Sequence, residues 1–87
     1  MAIPHSTWRP HPFEIGHTYV AAQSFVGFLN SKFVEGASYT FRQVAYSHYD
    51  SATVFTFQEL GSNDSCNWWW YDEEQDSLCS ERFHVAT

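Results

Sequence analysis

Aromatic residues recur two apart along this chain, and that spacing limits what it can fold into. Tyr39 and Phe41, Phe55 and Phe57, and Trp68 and Trp70 each share one face of an extended strand, because successive side chains on a strand point to opposite faces. No stretch carries the i, i+3, i+4, i+7 apolar pattern of an amphipathic helix over three turns. Between the aromatic runs stand Gly, Asn, Asp and Ser, the residues that punctuate strands. The chain reads as all-β.

Five strands are expected, at about His17 to Ser24, Ala37 to Tyr46, Ala52 to Leu60, Asn67 to Tyr71 and Arg82 to Ala86. The third has the cleanest alternation, with Phe55 and Phe57 on one face and Thr56 and Gln58 on the other. In the second, strict alternation would bury Gln43 and expose Val44. A bulge near Arg42-Gln43 would return Val44 and Tyr46 to the aromatic face. Ser47 to Ser51 and Gly61 to Ser65 read as the hairpin connections, and residues around Gly27, Asn30, Ser31 and Gly36 as a longer loop. With 87 residues the chain makes one small domain, which buries roughly 60% of its unfolded surface. Short antiparallel strands in so small a domain need closure to hide their edges. A long first loop, a short second, a medium third and a late return strand is the order of an SH3-like barrel.

The spacings Gly16-x-x-Tyr19, Gly36-x-x-Tyr39-x-Phe41, Tyr46-x-x-Tyr49-Asp50, Phe55-x-Phe57 and Trp68-x-Trp70 resemble those of a family of small bacterial proteins of unknown function with a predicted SH3-like core. The resemblance covers about residues 14 to 84. It implies a fold and carries no catalytic residues. Residues 1–13 lie outside it and hold Pro4, Pro10 and Pro12, which favour an extended N-terminal arm. The expected organisation is an arm over 1–13 and one small SH3-like barrel over 14–87. Prolines and histidines stand where a secretory signal would have its apolar region, and no run approaches the ~18 apolar residues of a membrane span. A cytoplasmic location is expected, with Cys66 and Cys79 as reduced thiols.

Charge is concentrated late in the chain. Ten acidic against four basic side chains give a net charge of −6, which argues against direct nucleic-acid binding, where Lys and Arg neutralise phosphates. Residues 61–87 hold Arg82 alone against Asp64, Asp72, Glu73, Glu74, Asp76 and Glu81. The acidic run adjoins the most aromatic stretch, Trp68-Trp69-Trp70-Tyr71. One strand cannot bury all of these rings: one alternate pair packs inside, and the other is exposed or half-covered, with Trp8 and Phe13 of the arm as candidate cover. Exposed tryptophan beside carboxylates is a pattern of protein contact surfaces. The candidate partner-binding residues are therefore Trp68, Trp69, Trp70, Tyr71, Asp72, Glu73, Glu74 and Asp76.

Catalytic and metal-binding patterns do not emerge. Ser47-His48-Tyr49-Asp50 holds the letters of a triad, but neighbours in one tight turn do not converge as nucleophile, base and orienter. His5, His11 and His17 recur every six residues, and Cys66 and Cys79 stand alone, so zinc spacing is missing. An EF-hand reading of Asp72, Glu74 and Asp76 fails at Ser77 and Phe83, which stand where Gly and Glu are required. No cofactor is expected. The sequence reads as a non-catalytic acidic binding protein, like an immunity protein or inhibitor, that captures a basic protein partner. A glycan or small-ligand module built on the tryptophans, a nucleic-acid mimic, proline-rich peptide recognition and a homodimer stand as alternatives.

Overall fold

The computed structural model of the protein describes residues 7–86. Met1 to Ser6, with Pro4 and His5 of the expected arm, and Thr87 lie outside the described residues. Seven strands and two short helical segments follow one another: β1 (Thr18–Ala21), β2 (Phe25–Val26), a 3-10 turn (Phe28–Asn30), β3 (Lys32–Phe33), β4 (Ser38–Ser47), β5 (Ala52–Glu59), β6 (Ser65–Tyr71), α1 (Leu78–Arg82) and β7 (Phe83–Val85). Five of the strands form one antiparallel sheet in the order β6-β5-β4-β1-β7. The remaining two, β2 and β3, pair as a small hairpin.

Alternation explains the core. Tyr39, Phe41, Phe55, Phe57, Cys66, Trp68 and Trp70 all point inward from the three long strands. The β4–β5 register shifts between Phe41 and Gln43, so the bulge falls where the sequence demanded it and Val44 is buried. That bend lets β4 pair with β1 through Thr40, Tyr39 and Ser38 and then with β5 along its length. The sheet wraps into a small barrel-like fold. Its edges, β6 and β7, meet through side chains, with Trp68 and Phe83 centroids 6.0 Å apart. The strand and loop order is the one expected for an SH3-like barrel, with β7 returning beside β1.

Residues 7–13 carry no helix or strand, yet they pack into this body. Phe13 is buried and meets Tyr19, Phe55, Phe57 and Phe83 edge-on at centroid distances from 5.0 to 5.6 Å. The Thr7 hydroxyl bonds that of buried Thr53 at 2.8 Å. The loop between β1 and β4 is more structured than its composition suggested. Gly27 brings its backbone so close to β6 that an added Cβ would stand 2.2 Å from the Asn67 carbonyl oxygen. The Ser31 hydroxyl accepts the Asn67 N–H at 3.1 Å, which pins the loop along the β6 edge.

Candidate functional site

Strand β6 separates its aromatic residues by alternation. Trp68 and Trp70 point inward and are 2% and 1% exposed. They are core, which removes Trp70 from the contact surface expected for it and leaves Trp68 only an edge on the outer groove. Trp70 packs under the Arg9 guanidinium at 3.5 Å, and its indole N–H donates to the Gln75 carbonyl at 3.1 Å. Trp69 and Tyr71 point outward. Trp69 is half-buried and stacks on Phe28 of the 3-10 turn, with centroids 4.1 Å apart and planes 14° apart. Tyr71 is 41% exposed.

The acidic run does two different things. Arg9 is buried, and its guanidinium is ringed by the loop after β6. Nε and Nη2 donate to Asp76 Oδ1 at 3.1 and 2.8 Å, Nη1 donates to the Tyr71 carbonyl at 2.8 Å, and Nη2 also donates to the Glu74 carbonyl. Charge-assisted bonds of this kind, with an aromatic face beneath, tie the arm to the loop. Asp72 accepts the Tyr46 hydroxyl through Oδ2, while its Oδ1 is buried without a partner among the described residues. The Glu74 carboxylate accepts the Tyr71 N–H at 2.9 Å. Thus Asp72, Glu74 and Asp76 each bond within the fold, although Asp76 stays 88% exposed. Glu73 is exposed and has no bond among the described residues.

The outward surface has members that the sequence reading missed. Val26, Phe28 and Leu29 come from the first long loop and, with Trp68, Trp69, Tyr71, Glu74 and Arg82, line a groove of about 320 Å³. Leu29 is 81% exposed and sits at φ 54°, a left-handed conformation that costs a leucine roughly 1–2 kcal/mol. The signal was present as the apolar run Phe25-Val26-Gly27-Phe28-Leu29 inside a stretch otherwise punctuated like a loop.

Elsewhere the candidate chemistry is tied up. The Ser47 hydroxyl donates to Asp50 at 2.8 Å, while the His48 ring packs edge-on against Tyr46 at 4.9 Å. Cys66 and Cys79 are free and buried. Burial pushes the Cys79 thiol up to about 12, far from a reactive thiolate. Among the described residues no cluster of three His, Cys, Asp or Glu could hold a metal ion, and no helix is long and apolar enough to cross a membrane.

These features define a small all-β protein with a barrel-like core and an aromatic outer groove. An integron cassette protein from the mobile metagenome of Vibrio cholerae has a similar structure, with a TM-score of 0.64 over 84% of each chain at 20% sequence identity. That likeness is one of fold. No family model and no curated protein matches the chain.

Proposed function

We propose that this chain is a non-catalytic binding protein that captures another protein through the outer face of β6 and the loop packed against it. The observation that carries the reading is Leu29, held almost fully exposed in a left-handed conformation beside the Phe28–Trp69 stack. Strained backbone and exposed apolar side chains together mark contact surfaces more often than packing needs. The aromatic anchors are Trp69 and Tyr71, with Phe28 and Leu29 around them. Glu73 and the net charge of −6 favour a basic partner, whose approach they would accelerate. An immunity-protein or inhibitor role, in the cytoplasm of a bacterium, fits the net charge of −6 and the exposed Glu73.

Immobilised protein exposed to bacterial lysate at low and high salt tests the reading. One basic protein retained at low salt, and lost with Trp69→Ala or Glu73→Lys, is the expected result. Equal retention by both variants would reject this surface. Retention insensitive to salt would turn the reading toward a neutral ligand.

A further inference from the structure

Arg82 closes α1 and lines the groove, and its charge meets aromatic faces but no hydrogen-bond acceptor among the described residues. Its guanidinium lies over Phe25 at 4.3 Å and near the Trp68 ring at 5.1 Å. Nε is buried with no hydrogen-bond partner, and among the described residues the side chain makes neither a hydrogen bond nor an ion pair. Arg9, which is fully buried, meets acceptors on every side, whereas half-buried Arg82 has its Nε shut away from solvent with none. Glu74 and Glu81 favour the Arg82 charge from a distance, while burial holds its pKa below the ordinary value. Glu74, which lines the same groove, accepts the Tyr71 N–H through Oε1 and makes no ion pair with Arg82 among the described residues.

The neighbouring edge of β6 is almost completely capped. Ser31 takes the Asn67 N–H, and Glu74 takes the Tyr71 N–H. The two-residue repeat of the ladder turns the Trp69 N–H and C=O to the same side as those of Asn67 and Tyr71. One residue of open edge is too short for a peptide strand to add to the sheet. The volume of about 320 Å³ stands at the lower end of small-ligand sites.

We propose that the groove binds a small aromatic carboxylic acid, its carboxylate on the Arg82 guanidinium and its ring against Trp69, Phe28 and Leu29. A carboxylate would satisfy an arginine whose bidentate geometry it matches, and the apolar walls would hold the ring. The acid and the proposed protein partner would share Trp69, Phe28 and Leu29, but Arg82 lines the groove and Glu73 does not.

The full chain, labelled with ¹⁵N, is titrated with phenylacetate and with phenylacetamide, which has the same ring but no charge. Phenylacetate is expected to shift the Trp69 indole and Arg82 Nε–H resonances saturably and to bind at least about tenfold tighter than the amide. Arg82→Gln should erase that preference, and Arg82→Lys should restore part of it. Leu29→Asp, on an exposed position, removes an apolar wall from both ligands and sets a negative charge at the groove mouth, so it should weaken the acid more than the amide, which keeps the test valid if Arg82→Gln fails to fold. Glu73→Lys should leave the titration unchanged even where it abolishes partner capture. Equal binding of acid and amide, or no shift with phenylacetate, cinnamate or indole-3-acetate at millimolar concentration, would overturn the proposal. So would a peptide ending in Phe with a free carboxylate that binds tighter than every small acid.

Discussion

Tyr19 and Tyr39 anchor their turns in the same way. The Tyr19 hydroxyl accepts the Glu14 N–H at 2.8 Å, and the Tyr39 hydroxyl accepts the Val34 N–H at the same distance. Each ring is buried in the core while its oxygen holds the turn that leads into its strand, which is the physical content of the repeated Gly-x-x-Tyr spacing. Tyr39→Phe should cost about 1 kcal/mol in urea unfolding, with no change of fold. Arg9 matters more. Arg9→Ala removes a charged fork and the cation stacked on Trp70, and a loss of about 2–4 kcal/mol is expected from thermal or denaturant melts. Asp76→Asn should cost less, about 1 kcal/mol, because the Asp76 carboxylate is exposed and its pairing is screened. His11 sits among the Phe13, Phe41 and Phe55 rings, and burial lowers its pKa. Below the unfolded value near 6.5 the unfolded chain takes up a proton that folded His11 resists. Stability should therefore be full above that pH and fall as the pH drops toward the depressed folded value. Chemical denaturation at pH 7.5 and 5.5 checks this, and His11→Phe should flatten that part of the slope. Of all this, alternation made the β6 pairs legible in advance. The partners of Arg9 were not, because nothing in a linear chain announces that residue 9 will meet residues 71 to 76.

At the scale of elements, the long strands announced themselves and the short ones did not. Strands β4, β5 and β6 each alternate over several residues and end at turn-forming residues, so their positions and the bulge between Phe41 and Gln43 could be read. Strands β2 and β3 are two residues each, too short to display a period. Helix α1 is five residues long, less than two turns, and no helical pattern can show in it. All three form because tertiary contacts hold them. Gly27 is the point where the first loop touches β6. Gly27→Ala would drive a methyl group into the Asn67 carbonyl, and a loss of about 1–3 kcal/mol is expected. The same variant should weaken any binding at the groove, since it displaces Phe28 from Trp69.

For the molecule as a whole, the acidic loop is both a clamp on the arm and a flank of the proposed contact surface. The composition suggested an acidic patch, but only the three-dimensional arrangement separates Glu73, exposed and unbonded among the described residues, from Asp72, Glu74 and Asp76, which bond within the fold. The groove was illegible for the same reason: its walls come from residues 26–29, 68–71 and 82, brought together by the wrap of the sheet. The most direct measurement is the binding kinetics of the captured partner with the wild-type protein, Trp69→Ala and Glu73→Lys. Trp69→Ala is expected to weaken affinity by about thirtyfold or more, chiefly through faster dissociation, with the fold kept and a modest drop in melting temperature from loss of the Phe28 stack. Glu73→Lys should act on association instead, and its effect should fade at high salt. A Trp69→Ala variant that binds as tightly as the wild type would contradict the account.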